Sequence, residues 1–300
     1  MNRLQYRVLQ LCKEHRDGSH STQANRQRIL LLAVAHLDEL GEKTNKMKLS
    51  HLSPRHVKML VDKWQADGIA TATIKNRMSA LRWLGDKLGK ADFVGGDNAS
   101  YGIERRRYTT NQNKSEQVSH EQLAKLPPDM ALSVRLQSAF GLRREESLKF
   151  QPTYALKGWT PETAEKIHIK PTWAKGGRYR EIAVTTPEQR QLLAEVIAYC
   201  RTNHQQSMTP AQKSYVQHMK LYEYHTNAVG VGHTHGLRHH FAHTRYAQIT
   251  GFQCPAVGGV RVLTDEQKAL DIKAREIITQ ELGHGRLEVT NIYLGVWRNL

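Results

Sequence analysis

The sequence predicts a mainly α-helical protein with one small antiparallel β-sheet in its second half. Three observations lead there. Apolar residues recur at helical spacing through most of the chain, the period changes to two only between Lys166 and Val184, and the stretch from Asp92 to Gln117 lacks any apolar period. Three hundred residues are enough for two domains. The expected organisation is a helical bundle over residues 1–92, a basic linker over 93–117 and a larger second domain over 118–300.

In the first domain a helix is expected from about Thr22 to Leu40, with Ile29, Leu32, Ala33, His36 and Leu40 inward. Ser53 followed by Pro54 is an N-cap with proline at the first helical position. Val57, Leu60, Val61 and Trp64 then share one face, and Asp67-Gly68 ends the helix. A further helix from Thr71 to Leu88 turns Ile74, Met78, Leu81 and Leu84 inward and leaves Lys75, Arg77, Arg82 and Lys87 on other faces. The linker holds Gly95-Gly96-Asp97-Asn98-Ala99-Ser100 and the run Arg105-Arg106-Arg107.

The second domain opens with Ser119-x-x-Gln122, a capping box. A helix from Ala131 to Phe140 follows, and the turn at Gly141 delivers Arg143. Ile167 and Ile169, then Ile182 and Val184, flank Ala174-Lys175-Gly176-Gly177-Arg178, which reads as a hairpin with Lys175 at its tip. Ala211 to Thr226 reads as an amphipathic helix, and Thr264-x-x-Gln267 opens another that runs to Leu282. Between these two helices, Gly251 to Val262 is rich in glycine and contains Pro255; it reads as a loop over a ligand or a surface excursion.

Composition points to a polyanionic partner. The chain has 44 Lys plus Arg against 28 Asp plus Glu, a formal charge of +16 and a pI near 9.8, which is the footprint of a nucleic-acid-binding protein. A basic membrane-surface protein would share that balance, but no run approaches the roughly 18 apolar residues of a spanning helix, and the mean hydropathy is −0.61. Met1 to Arg16 has no apolar core of signal-peptide type, so a cytoplasmic protein without a membrane partner is expected. Cys12, Cys200 and Cys254 are far apart and form no metal-binding or redox pair, so buried or incidental thiols are expected.

The chemistry-bearing residues are Arg143 in Gly141-Leu142-Arg143-Arg144-Glu145-Glu146, His235 and Arg238 in His235-Gly236-Leu237-Arg238-His239, and His284 and Tyr293 in a segment that begins Leu282-Gly283-His284. A phosphodiester carries one negative charge, and attack at phosphorus builds a second, so catalysis needs fixed positive donors on the non-bridging oxygens. Arginine supplies them through a planar fork that never loses its charge. A tyrosine of pKa about 10 attacks only if a base or nearby cations favour its phenoxide. His235 is the candidate base and His284 a candidate phosphate donor, while Glu146 is expected to orient an arginine. Five histidines crowd residues 233–243, and His235/His239 and His239/His243 are both four apart, as zinc ligands on a helix are. No His-Glu-x-x-His signature or cysteine or carboxylate cluster accompanies them, so neither metal nor another cofactor is expected.

In this order the motifs resemble the tyrosine recombinase (phage integrase) family, whose pattern is Gly-Leu-Arg, then His-x-x-Arg-His, then Leu-Gly-His with a tyrosine nine residues later, as His284 and Tyr293 are. The resemblance is strong over Val118 to Leu300 and weak over the first 90 residues. It selects Arg143 over Arg144 and matches Lys175 to a hairpin lysine that protonates the leaving 5′ oxygen. The chain departs at Glu145, where serine is usual, at Ser147, where an aliphatic is usual, and in the separation of Arg238 from His284, about twice the habitual one. Only seven residues follow Tyr293, so the carboxy-terminal helix that many relatives donate to a neighbour is expected to be short or missing.

The resemblance implies a SAM-like helical DNA-binding bundle, an α-helical catalytic domain with a small sheet, and cleavage through a 3′-phosphotyrosyl bond with Arg143, Lys175, His235, Arg238, His284 and Tyr293 at the site. It also implies double-stranded DNA attachment sites as substrate, a tetrameric synapse and an accessory DNA-bending or directionality protein. Lys75, Arg77, Arg82, Arg105, Arg106 and Arg107 are expected to touch phosphates, which gives affinity more than sequence choice. The expected function is site-specific recombination, as the integrase of a mobile element. Resolution of chromosome or plasmid dimers by the same chemistry, type IB topoisomerase-like relaxation and catalytically silent DNA binding are the alternatives.

Overall fold

The computed structural model describes residues 1–105, 108–258 and 262–297. The chain forms two compact units, Met1–Arg107 and Tyr108–Leu300. The first contains α1 (Arg3–Glu14), α2 (His20–Glu39), α3 (Pro54–Ala66) and α4 (Thr71–Lys87). Helix α1 is an addition to the sequence reading. Asn2 Oδ1 accepts from the Gln5 amide and Gln5 Oε1 accepts from the Asn2 amide, a reciprocal cap, and Leu4, Val8 and Leu11 turn inward.

Helices α3 and α4 bury the residues their spacing predicts. In α2 the inner face is shifted by about one position: Ile29, Leu30, Ala33, Val34 and Leu37 are buried, Leu32 and His36 are half-buried, and Leu40 is exposed. His36 sits at the edge because its Nδ1 accepts from the indole of fully buried Trp64, at 2.9 Å. The stretch from Asp92 to Gln117 is not a free linker. Phe93, Val94 and Ile103 complete the core of the first unit, while Asn111 and Glu116 bond within the second. Their apolar residues are too few and too widely spaced to show a period.

The cationic residues expected to meet DNA differ in setting. Arg77 stacks on Trp64 at 4.9 Å, Arg82 bonds Asn98 at 2.9 Å, Lys75 is half-buried and Arg105 is exposed. Arg106 and Arg107 lie outside the described residues.

The second unit comprises α5 (His120–Ala124), α6 (Pro128–Phe140), α7 (Arg144–Leu148), α8 (Pro152–Leu156), β1 (Lys166–Ile169), β2 (Arg180–Ala183), α9 (Pro187–Thr202), α10 (Tyr215–Ala228), α11 (His235–Thr250), α12 (Pro255–Gly258), α13 (Asp265–Glu281) and α14 (Leu287–Leu294). Capping boxes at Ser119/Gln122 and Thr264/Gln267 open α5 and α13, as expected from the sequence. Leu136, Phe140, Phe241, Ala242, Tyr246, Ala274, Ile278 and Leu282 form the centre where α6, α11 and α13 pack.

Strands β1 and β2 pair antiparallel with Ile167 opposite Ile182, both fully buried. Their connection is longer than a tight hairpin turn. Trp173 is buried against Phe150 and Tyr154, at 6.0 and 5.4 Å between ring centroids, and this anchor holds the loop open around it. The glycine-rich stretch after α11 is partly core: Cys254, Pro255 and Ala256 are buried, whereas Gly259, Val260 and Arg261 lie outside the described residues. Cys200 and Cys254 are buried and Cys12 half-buried, all as free thiols. Among the described residues no helix is long and apolar enough to cross a membrane.

Helix α6 ends at Gly141 in a left-handed conformation, φ +59°. A Cβ there would stand 2.5 Å from Phe241 Cδ1 and 3.0 Å from Leu282 Cδ2. Gly141→Ala combines left-handed strain with overpacking, so it should cost about 2–4 kcal/mol. The urea midpoint should fall with an unchanged slope; an unaltered midpoint would show that this turn does not pin α6 to α11 and α13.

Candidate active site

The turn at Gly141 places Arg143 in extended conformation at the N-cap of α7. Glu146, three residues on and fully buried, accepts from the Arg143 amide at 2.7 Å and from its guanidinium at 2.9 Å. The same carboxylate accepts from Arg180 of β2 at 2.9 and 2.5 Å. Burial alone would raise the Glu146 carboxyl, but the hydrogen bonds and charge of Arg180, with the charges of Arg238 and Arg143, outweigh it and hold the pKa at about 2. Arg144 points elsewhere, to Glu223 of α10 at 2.5 Å. The structure thus separates the adjacent arginines and gives only Arg143 to this centre.

Arg238 lies on α11 and is almost wholly buried. Its guanidinium donates to the carbonyls of Gly141 and Leu282, so one side chain ties the end of α6 to the end of α13. Its Nε has no hydrogen-bond partner among the described residues. Burial lowers the Arg238 pKa to about 10, which leaves the group charged at neutral pH.

Around Arg238 gather the other motif residues. His235 Nε2 is 3.2 Å from the Tyr293 hydroxyl. His239, one turn further along α11, places its ring 4.5 Å from that of Tyr293, and His243 Nε2 donates to the Tyr293 carbonyl at 2.8 Å. The ring of His284 stacks on Tyr293 from another side, at 5.2 Å. Its Nδ1 bonds Thr290 Oγ1 at 3.0 Å, and Thr290 bonds Thr279 at 2.7 Å. Its Nε2 lies 3.4 Å from Arg238, beyond the range of a good hydrogen bond.

The imidazoles are kept neutral. Burial first, then the charges of Arg238 and Arg143, lower the pKa of His235. The same causes, joined by Arg180 and His235, bring His284 to about 3. Burial and the neighbouring His235, His243 and Lys114 bring His239 to about 4. A neutral His235 beside a phenol can accept its proton, and a neutral His284 can donate to an anion.

Arg143, His235, Arg238, His284 and Tyr293 are brought together. Lys175 is exposed in the β1–β2 loop and makes no hydrogen bond or ion pair among the described residues. The histidines at 235, 239 and 243 line Tyr293, and among the described residues no group of three or more His, Cys, Asp or Glu could hold a metal. Sequence reading missed Arg180. Its signal was present, since Arg180 shares strand parity with Ile182 and Val184, and an arginine on an apolar face calls for a buried anion. The supports that His243, Thr279 and Asn111 give to α14 and its flank carry no such signal.

The family model described as "Phage integrase, N-terminal" matches residues 1–94, and that described as "Integrase" matches residues 105–244. The chain belongs to the phage integrase family. The match to the second family model takes in Arg143, Lys175, His235 and Arg238 and ends at Thr244, so His284 and Tyr293 join the site through the geometry above.

Among solved structures, a lambda integrase tetramer bound to a Holliday junction superposes with a TM-score of 0.58 at 12% identity, over 99% of this chain and 80% of that one. The Tn1549 transposon integrase in complex with circular intermediate DNA gives 0.57 at 13%, over 99% and 97%. XerH site-specific recombinase bound to difH substrate, a pre-cleavage complex, gives 0.56 at 19%, over 96% and 81%. These likenesses show a shared fold. No curated protein sequence matches the integrase-family chain.

Glu146→Gln should leave two arginines facing a neutral amide and cost about 3–5 kcal/mol. The wild-type carboxyl, depressed to about 2 in the folded state, contributes stability that is present above its unfolded value near 4.5 and lost as pH falls toward 2. Chemical denaturation between pH 7 and pH 2.5 should show a steep acid loss in the wild type and a flatter one in the variant. Parallel curves would show that Glu146 does not carry this charge.

Proposed function

We propose that the protein is a site-specific DNA recombinase, the integrase of a mobile element, that cuts and rejoins strands through a 3′-phosphotyrosyl intermediate. The observation that carries this reading is the hydroxyl of buried Tyr293 3.2 Å from a His235 whose pKa is lowered, beside Arg238 and within the field of Arg143. The proteins of like fold are described as bound to difH substrate, circular intermediate DNA and a Holliday junction, and double-stranded DNA agrees with the charge of +16. A homotetrameric synapse on two attachment sites follows the same likeness.

In this mechanism Arg143 and Arg238 donate to the non-bridging oxygens of the scissile phosphate, and His284 adds a neutral donor. Tyr293 gives its proton to His235 as its oxygen attacks phosphorus. The P–O5′ bond breaks, and the 5′ oxygen takes a proton from Lys175, which the hairpin loop would carry to the phosphate. The phosphotyrosyl ester retains the energy of the broken bond, so a 5′ hydroxyl from a second strand reseals it without ATP. Glu146 touches no substrate in this scheme; it holds Arg143.

A nicked duplex carrying an attachment repeat found by sequencing the flanks of the gene should trap a covalent complex with its label on Tyr293, and Tyr293→Phe should trap none. Arg143→Ala should lower the cleavage rate on the order of 10²–10³-fold, and Arg144→Ala much less. Label on another tyrosine, or equal losses at both arginines, would overturn the assignment.

The pH profile tests the base. Because the folded-state pKa of His235 is lowered, the base form persists through neutral pH, and the cleavage rate should fall only below the ordinary imidazole value of about 6.5. His235→Asn should be slow and should lose that acid limb. A variant that keeps the limb would assign it to another group.

A further inference from the structure

Arg178 and Arg180, two residues apart where the chain enters β2, both lie against the turn that ends α13. A Cβ at Gly283 would stand 2.9 Å from Arg180 Cδ, and a Cβ at Gly285 would overlap the Arg178 guanidinium, 2.9 Å from one terminal nitrogen and nearer still to the other. Gly283 has φ +64°, so its backbone alone favours glycine there. Gly285 has no positive φ. The feature that its bare Cα accommodates is the guanidinium of Arg178.

The two arginines differ in what they hold. Arg180 is buried and committed to Glu146 and to the Glu281 carbonyl. Arg178 is exposed and makes no hydrogen bond or ion pair among the described residues. Its backbone is nonetheless braced. Tyr179, next in the chain, bonds His168 at 2.5 Å, Glu181 at 2.7 Å and Lys157 at 3.1 Å, and Arg180 follows. An uncommitted guanidinium is therefore seated over Gly285, the residue after His284.

We propose that Arg178 is a further phosphate-contacting residue of the cleavage site, its fork donating to backbone oxygens beside His284. The assignment rests on the recombinase reading above. It gives the site a second cation from the β1–β2 loop besides Lys175, one that charges the phosphate side instead of protonating a leaving group.

The experiment uses the full chain and two readouts. On a random-sequence duplex, Arg178→Ala should make the slope of log affinity against log salt shallower by about 0.9, the value of one phosphate contact. Arg201→Ala, which removes an exposed arginine at the end of α9, should leave the slope unchanged. Gly285→Ala should displace the guanidinium and lower the slope likewise, while the double variant should match Arg178→Ala alone. On the nicked duplex carrying the attachment repeat, Arg178→Ala should trap covalent complex about 10²-fold more slowly, with Arg178→Lys between it and the wild type.

An unchanged slope in Arg178→Ala, an equal fall in Arg201→Ala, or additive effects in the double variant would each overturn the proposal. A wild-type protein that traps no DNA while Arg178→Ala still lowers the slope would instead remove the recombinase reading and keep the phosphate contact.

Discussion

The second unit is organised around the burial of Glu146 between Arg143 and Arg180. The proposed function requires positive charge to be concentrated before a phosphate arrives, and cations at close range repel one another more strongly as water is excluded. One buried carboxylate answers that repulsion. It accepts bonds from the amide and guanidinium of Arg143 and a forked pair from Arg180, so it fixes a turn, a strand and a helix start together. Replacing such a group by an apolar residue would leave the arginines without a reason to converge.

Arg238 extends the same logic with backbone oxygens. The carbonyls of Gly141 and Leu282 belong to helix ends, where orphan acceptors and the negative end of the helix dipole favour a cation. A charged side chain can therefore stand in a nearly dry position without a carboxylate of its own. The nearby imidazoles feel the result: crowded by guanidinium charge and desolvated, they stay neutral, which is the state a base toward Tyr293 and a donor toward an anion both need.

The placement of Tyr293 follows from packing more than from charge. His235, His239 and His243 repeat every four residues on α11 and meet α14 along one face, with His243 holding the Tyr293 carbonyl. Beyond the tyrosine, Arg275 holds Asn291 and the Gly295 carbonyl, Asn111 pairs with both polar groups of the Val296 backbone, and the Trp297 indole donates to Asp271. These contacts restrict the hydroxyl to the neighbourhood of His235, and in the proposed mechanism a fixed approach is a large part of what the attacking oxygen needs. The histidine spacing that resembles a zinc motif serves here as a cradle for an aromatic ring.

The sequence alone determined the helical class, the period-two strands, the capping boxes that start α5 and α13, and the motif residues, because each is written locally in turn chemistry, periodicity or spacing. It also marked Glu146 as a partner for an arginine. It did not show α1, the true inner face of α2, the burial of Phe93, Val94 and Ile103, or the core role of Ala256. Those depend on what other elements lie opposite, and a short or irregular apolar segment has no period to announce it. Arg180 reaches Glu146 across 34 positions of sequence, and Arg178 meets Gly285 only because the strand entry and the end of α13 are folded against each other. Tertiary structure decided which cations share an anion, because charge compensation in a buried site depends on distance in space and leaves no regular interval along the chain.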